Sequence, residues 1–518
     1  MKNTNNLKAI DFGTAGIRGI VGKGIDHLSA AHVQRVAHGF VNYLLKKYEK
    51  LDKITIVIGR DNRRFSNKYA KLIAKIAASY NKIHVILSRK ITPTPFVSYL
   101  IISNKAQGGF NITASHNPKE YNGIKLYNEH GSQCLPDEIE LIKKEFKDYY
   151  TYSDDYRCDG VWPVANNIRN TTKKEWYSYI NKVLNIVPNT EFSKEMGKIK
   201  LVYSPLHGTG STVANEIFKG LNLELDKNVF YVKEQFIQDR NFKTCSYPNP
   251  ERDDVYELGE KLAIKNNCDI VLVTDPDADR VGVKVRENNK FTLLTGNETA
   301  TLLMKYLLEV NKENANNKYM VYSYVSSNLP ELIAKKSGLK TFIVPTGFKW
   351  IGKTIVEQQQ EMFFAFEESY GSLIDSSIAR DKDAIQSIVA IVKMTQYYKN
   401  QGKTLIDALD EIYSEYGYIA SKSINIDIDQ NTDLRLIQEK FKELNFENKI
   451  VHDYNLETDF MKSNMIKISF KNRADWIALR PSGTEPKIKF YIFAYGNNKD
   501  VAQKTLDEYI SKIETIIN

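Results

Sequence analysis

Two short segments carry residue types that could move a phosphoryl group. Ser115 lies in the polar loop Thr113-Ala114-Ser115-His116-Asn117-Pro118, opened by the Gly108-Gly109 pair, and its hydroxyl is a candidate carrier of phosphate. Asp275, Asp277 and Asp279 alternate through Asp275-Pro276-Asp277-Ala278-Asp279-Arg280. Carboxylates so close repel one another unless they share a cation, and an all-oxygen ligand set suits Mg²⁺. An EF-hand would need Gly and Glu where this chain has Arg280 and Arg286, so that reading fails. A hydroxyl for phosphate and a hard-cation site to neutralise it together point to phosphoryl transfer.

Four further segments could assist. Asn122-Gly123-Ile124-Lys125 reads as a turn that brings Lys125 to the serine loop, where charged neighbours would tune it as a proton carrier. Arg480-Pro481-Ser482-Gly483-Thr484-Glu485-Pro486-Lys487 offers a guanidinium, two hydroxyls and a Gly turn to one phosphate. Glu367-Glu368-Ser369-Tyr370-Gly371 supplies a carboxylate and a hydroxyl suited to sugar hydroxyls, and Asp11 to Gly19 forms a Gly-rich turn with Arg18. Each has a plain alternative, an ordinary turn or surface charge. Arg380-Asp381-Lys382-Asp383 would ordinarily be a solvated charged face. His116 adjoins Ser115, but no G-x-S-x-G elbow surrounds the pair and its ring need not face the hydroxyl.

The elements that must position these residues alternate in type. Strand-type Ile54–Gly59 precedes helix-type Ser66–Ser79, and His84–Ser88 precedes Pro95–Ser103. The rhythm restarts at Lys198–Tyr203 and Ser211–Lys219, and Ile270–Thr274 is a buried-type strand that runs into the aspartates, the usual ligand end of an α/β sheet. A third unit has a helix from Glu298 to Val310 and strands at Tyr319–Tyr324 and Thr341–Pro345, the last entering Thr346-Gly347-Phe348-Lys349. After Gly417 the pattern becomes α+β: Lys422–Ile428, a helix Thr432–Leu444, strands at Met465–Phe470 and Trp476–Leu479, and a closing helix from Lys499. The expected fold is three similar α/β domains, 1–172, 173–297 and 298–415, plus a smaller C-terminal α+β domain, 416–518, around a central cleft.

At 518 residues, with 42% hydrophobic and 26% charged residues, the chain is globular and needs several cores. The net charge of +9 is spread without a concentrated basic tract, which argues against a nucleic-acid face but suits anionic metabolites. Cys134, Cys158, Cys245 and Cys268 lack metal or disulfide spacing and read as reduced thiols. No apolar run suggests a signal peptide or a membrane span, so the expectation is a cytoplasmic protein with no membrane partner.

In order along the chain, T-A-S-H-N-P, D-P-D-A-D-R, F-E-E-S-Y-G and R-P-S-G-T-E-P, with D-F-G-T-A-G-I-R-G before them and P-T-G-F-K among them, resemble the α-D-phosphohexomutases, the phosphoglucomutase and phosphomannomutase superfamily. The resemblance runs from Asp11 to Tyr491. It implies that Ser115 is the phosphoserine and shares Mg²⁺ with Asp275, Asp277 and Asp279. It implies that Arg18, Lys125 and Lys382 act at the transferring group, that Arg280, Thr346, Lys349, Glu367 and Ser369 contact the sugar, and that Arg480, Ser482, Gly483 and Thr484 grip its resting phosphate. Ser372 after E-E-S-Y-G resembles the glucose-phosphate side of the family. The implied reaction interconverts glucose 1-phosphate and 6-phosphate, and extends to mannose phosphates, with a sugar 1,6-bisphosphate as activator, in a monomer or homodimer; the alternative is a phosphomannomutase or phosphopentomutase as the main activity. A haloacid-dehalogenase-type enzyme, whose D-x-D is followed by Thr or Val, fits poorly here, and no defect in the motifs favours a non-catalytic sugar-phosphate sensor.

Overall fold

The computed structural model describes residues 9–13, 16–155, 162–188, 199–288, 290–311, 315–429, 433–481 and 487–517. Apolar residues at alternate positions of the strand Ile54–Arg60 face opposite cores. Ile54, Ile56 and Ile58 pack with the helices Ala30–Lys47 and Ser66–Ala78, whereas Val57 packs with Thr94–Ser103. Both faces of the sheet are therefore covered, as a parallel sheet requires. This first sheet has seven strands. Gly108–Ile112, Ile54–Arg60, Ile83–Leu87 and Ile168–Asn170 run parallel, and Tyr121–Asn128, Gly16–Ile20 and Phe12–Gly13 add antiparallel at the Gly108–Ile112 edge.

Thr94–Ser103 is apolar on nearly every side and buried from Thr94 to Ile101. A helix with no polar face must be enclosed. Here the same core continues through Phe96, Tyr179, Leu201, Leu302 and Ile388, joining the first sheet to the next two. The second sheet places Ile270–Thr274 between parallel Leu201–Ser204 and antiparallel Val281–Glu287. The third centres on Tyr319–Ser323, parallel to Lys340–Val344 and Met362–Glu367, with Gly371–Leu373 at the edge.

The C-terminal sheet has five strands, all antiparallel, in the order Tyr418–Asp427, Lys487–Gly496, Trp476–Pro481, Ile466–Phe470 and Lys449–Asp453. Lys499–Ile517 and Leu434–Glu443 cover its apolar side. It docks on the third unit through Asn328, which receives the Tyr495 hydroxyl at 2.7 Å and donates to the Ala474 carbonyl at 3.0 Å.

Several elements differ locally from expectation. Ser211–Lys219 is a 3₁₀ turn, Thr209–Thr212, followed by a helix at Ala214–Gly220. Asn122 to Lys125 is not a turn but the middle of the strand Tyr121–Asn128. Gly108 and Gly109 begin a strand rather than open a loop, and a Cβ on Gly108 would meet Phe40 Cζ at 2.8 Å. The C-terminal helix begins at Lys499 as expected. Cys134, Cys245 and Cys268 are buried free thiols, while Cys158 lies outside the described residues. No described helix is long and apolar enough to cross a membrane.

Candidate active site

Ser115 sits just past the C-terminal end of Gly108–Ile112, and Asp275 just past the end of Ile270–Thr274. Loops at these ends of parallel strands converge, which is how residues 160 positions apart come together. Ser115 Oγ donates to Asp275 Oδ2 at 2.7 Å, and both residues are buried. The serine has φ +50°, a left-handed conformation that costs a non-glycine residue about 1 kcal/mol or more and persists only when neighbours impose it. Thr113 Oγ1 accepts from the Ser115 N–H at 2.8 Å.

The main restraint is one that the sequence motifs did not reveal. Arg63 spreads its guanidinium under the loop, donating to the carbonyls of Ser115 and Asn117 at 2.5 Å each, of Pro118 at 2.8 Å and of Tyr121 at 3.1 Å. Asp61 fixes it, with Arg63 Nε 3.3 Å from Asp61 Oδ2 and the Arg63 N–H donating to Oδ1 at 2.9 Å. Asp61-Asn62-Arg63 follows the strand Ile54–Arg60, so the strand-end rule that singled out the aspartates would have found it too.

The aspartates form a compact buried set, with one oxygen of each within 4.8 Å of the others. Pro276 is seated against Gly208, where a Cβ would lie 2.4 Å from Pro276 Cα, and the Thr209 N–H donates to the Pro276 carbonyl at 2.7 Å. From the first unit, Thr94 Oγ1 donates to Asp277 Oδ2 at 2.6 Å. Lys125 Nζ lies 2.8 Å from both Asp277 Oδ2 and Asp279 Oδ2. Burial and the neighbouring Asp277 and Asp279 push Asp275 well above the usual carboxylate range. Against the cost of burial, Lys125 holds Asp277 and Asp279 below that range, helped at Asp279 by Lys382 and Arg280.

Burial disfavours the Lys125 charge, yet Asp277, Asp279 and Asp381 outweigh it and raise its pKa. In this arrangement Lys125 is a positive charge held between the two aspartates. Among the described residues Asp277 Oδ1 and Asp279 Oδ1 are buried without a hydrogen-bond partner, with Arg280 Nε 3.8 Å from the latter. Buried carboxylate oxygens without a hydrogen bond are costly, and an all-oxygen set with two such atoms fits a hard divalent cation.

The remaining expected residues fall into place by element. Arg18, on Gly16–Ile20, donates to Asn117 Oδ1 at 2.7 Å; Thr14 and Ala15 lie outside the described residues. His116 does face the serine, its Nδ1 3.2 Å from Ser115 Oγ, and burial followed by Arg280 and Arg18 keeps its pKa well below the ordinary value. The charged run at 380–383 is not a solvated face. Asp381, Lys382 and Asp383 are buried, with Lys382 Nζ 3.5 Å from Asp279 Oδ2 and Asp381 receiving Tyr127 and Gln133 at 2.7 and 2.8 Å.

Arg280 reaches Glu251 Oε1 at 3.0 Å. Glu367 Oε1 accepts the Gly347 N–H at 2.7 Å, tying the Thr346 turn to the half-buried Ser369 loop. Lys349 lines a cavity of about 390 Å³ between the first and third units, with His130, Ser132 and Lys353. Arg480 stands at the end of Trp476–Pro481 beside Tyr491, whose pKa is pushed up to about 12 by burial and Glu368 and eased by Arg480. Ser482, Gly483 and Thr484 lie outside the described residues.

Three α/β units and a C-terminal sheet, with a buried serine bonded to the first of three clustered aspartates and two lysines paired with the others, make up the architecture of a phosphoryl-handling enzyme. Models of phosphoglucomutase/phosphomannomutase α/β/α domains I, II and III match residues 9–153, 177–288 and 295–416, and the chain belongs to that family, whose members are mutase isomerases. A curated phosphoglucomutase of Staphylococcus haemolyticus is 34% identical, the alignment covering 96% of this chain and 93% of that one. The solved structure of the Paramecium phosphoglucomutase parafusin, in its open form, superposes with a TM-score of 0.78 at 18% identity, covering 99% of this chain and 96% of that one. Aspergillus fumigatus N-acetylphosphoglucosamine mutase, solved with GlcNAc-6P and magnesium, gives a TM-score of 0.51 at 13% identity, covering 98% of this chain and 96% of that one.

Proposed function

We propose that this chain is a phosphoglucomutase that interconverts glucose 1-phosphate and glucose 6-phosphate through phosphorylated Ser115, and that it also accepts mannose phosphates. The observation that carries the reading is the Ser115 hydroxyl 2.7 Å from Asp275, within a buried set of three aspartates that Lys125 spans at 2.8 Å. The name carried by the staphylococcal relative supports the choice of glucose.

In the forward direction the P–Oγ bond of phosphorylated Ser115 breaks as the sugar's 6-hydroxyl oxygen bonds to phosphorus, and the proton of that hydroxyl passes to Ser115 Oγ, which leaves as a hydroxyl. The resulting 1,6-bisphosphate stays bound and presents its other phosphate. P–Oγ then re-forms as the bond from phosphorus to the 1-oxygen breaks, the Ser115 hydroxyl proton passes to the 1-oxygen, and glucose 6-phosphate departs. Added sugar 1,6-bisphosphate activates the enzyme by phosphorylating Ser115.

Asp275, Asp277 and Asp279 would hold Mg²⁺, with an oxygen of phosphorylated Ser115 completing the set; when bound, the ion supplies charge stabilisation to the phosphoryl oxygens. Lys125, Lys382 and Arg18 place fixed positive charge around Ser115, and such preorganised charge is the main catalytic lever in phosphoryl transfer. Arg280, Thr346, Lys349, Glu367 and Ser369 would orient the sugar. Arg480, with Ser482, Gly483 and Thr484, would hold whichever phosphate is not reacting, so that one grip serves both orientations. The domains are taken as 1–172, 173–297, 298–415 and 416–518.

The test is conversion of glucose 1-phosphate and, in parallel, mannose 1-phosphate to their 6-phosphates, with Mg²⁺ and a trace of the matching 1,6-bisphosphate. Turnover with higher kcat/KM for glucose supports the proposal. Preference for mannose, or turnover of pentose 1-phosphates alone, replaces the substrate. No turnover by the folded, primed protein overturns the mutase.

A further inference from the structure

A cavity of about 550 Å³ opens between the first and second units and shares no lining residue with the Ser115 site. Its volume is that of a small-molecule site. Arg60, Lys90 and Lys173 bring three cations to its wall, against one carboxylate, Glu216. Arg60 is the residue that most requires an explanation. Its guanidinium lies over the Trp162 ring at 5.8 Å; among the described residues it donates only to main-chain carbonyls, Asp61 at 3.1 Å and Arg89 at 2.8 Å, and its Nε is buried without a hydrogen-bond partner. The nearest carboxylate, Asp61, is committed to Arg63. Among the described residues no carboxylate pairs with Lys90 or Lys173 either. A half-buried guanidinium with an unused donor, beside two unpaired ammonium groups, is a site for a multiply charged anion.

The helix Lys173–Leu184 that brings Lys173 to the cavity also lines it with aromatic rings. Trp176 is held rigidly against Phe96, with ring centroids 4.0 Å apart, and Tyr177 beside it is 50% exposed. A fixed indole and an open phenol next to a cationic corner suit a ligand with a planar base at one end and phosphates at the other.

We infer that this cavity is an effector site for a nucleoside phosphate, with the phosphates against Arg60, Lys90 and Lys173 and the base against Trp176 and Tyr177. The cavity is wired to the active site through covalent neighbours. Arg60 ends the strand that delivers Asp61 and Arg63, and Arg63 holds the Ser115 carbonyl at 2.5 Å. Ile91, on the cavity wall, is three residues from Thr94, which bonds Asp277 at 2.6 Å. A ligand that draws on Arg60 therefore pulls on both loops.

The test is calorimetric titration of the full chain with ADP, GDP and UDP, repeated with adenosine, with pyrophosphate and with saturating glucose 1-phosphate present. The expected result is saturable binding of at least one nucleotide, tighter than that of either fragment and undisturbed by the sugar phosphate. The double variant Lys90→Glu/Lys173→Glu, which changes only solvent-exposed side chains, should weaken that binding about tenfold or more while leaving mutase turnover without nucleotide unchanged. Displacement by glucose 1-phosphate would put the nucleotide in the sugar-phosphate site. That outcome, pyrophosphate binding as tightly as the nucleotides, unaltered binding by the double variant, or no saturable binding at all would each overturn the inference. Binding is read without turnover, so failure of the mutase reading would leave it standing.

Discussion

Replacing Arg63 by Leu should separate what holds the phosphoserine loop from what reacts on it. The substitution strands Asp61, whose side chain is fully buried, and frees the carbonyls of Ser115, Asn117, Pro118 and Tyr121. Breaking a buried ion pair from one side costs about 3–5 kcal/mol. That is a large share of the roughly 5–15 kcal/mol that keeps a domain folded, and it will appear as a lower denaturation midpoint. The functional effect is distinct. Ser115 is held at φ +50°, and without Arg63 the loop can relax from that conformation. A displacement of about 1 Å at a reacting group costs about 100-fold, or about 2.7 kcal/mol of barrier. The assay is kcat/KM for glucose 1-phosphate at a temperature where the variant stays folded, beside a urea titration. The double variant Asp61→Leu/Arg63→Leu removes the stranded charge and should regain part of the stability without regaining activity. A folded Arg63→Leu protein with near-normal kcat/KM would refute the idea that this guanidinium sets the geometry of Ser115.

Ser115→Ala should abolish turnover with little change in melting temperature, because it deletes one hydroxyl whose partners among the described residues are Asp275 and His116; appreciable mutase activity would remove the phosphoserine from the mechanism. Mg²⁺ at about 100 times its dissociation constant should stabilise the protein by about 2.7 kcal/mol, and Asp277→Asn or Gly208→Ala should reduce that shift, the first by removing a ligand and the second by pushing on Pro276; equal shifts in all three proteins would argue against an ion at the aspartates. Burial raises the Asp383 pKa from 3.8 to about 6, so the folded state holds a proton that the unfolded state has lost between those values. Stability due to this group is therefore greatest below about pH 4 and falls as pH rises to 6, by about 3 kcal/mol, since one pKa unit is about 1.4 kcal/mol. Asp383→Asn keeps a side-chain oxygen to cap the helix Ala384–Lys399 and should flatten that slope in urea titrations across pH 4 to 6, whereas parallel curves would show that Asp383 is ionised throughout.

Much of the fold was legible because the strands and helices of its three α/β units repeat in sequence with the spacing that covers a sheet on both sides. Ile270–Thr274 was located to the residue, since a five-residue apolar run ending in three aspartates admits few alternatives. Asn122 to Lys125 was misread because its Gly suggested a turn, whereas a Cβ at Gly123 would meet the Ile17 and Thr113 carbonyls at 2.6 Å. That crowding exists only once three strands are side by side. The buried state of Asp381, Lys382 and Asp383 was equally invisible, because a charged run looks solvated until Tyr127, Gln133 and Tyr179 arrive from distant segments to pair with it. By itself the sequence determined which atoms are available for chemistry: a hydroxyl in a tight loop, three closely spaced carboxylates, and the lysines and arginines of the motifs. Only the tertiary structure decided that Lys125 spans two aspartates, that Arg63 braces the serine loop and that Arg60 is left without a counter-charge, because side-chain distances and desolvation are set by which strand ends converge, and no local pattern encodes that.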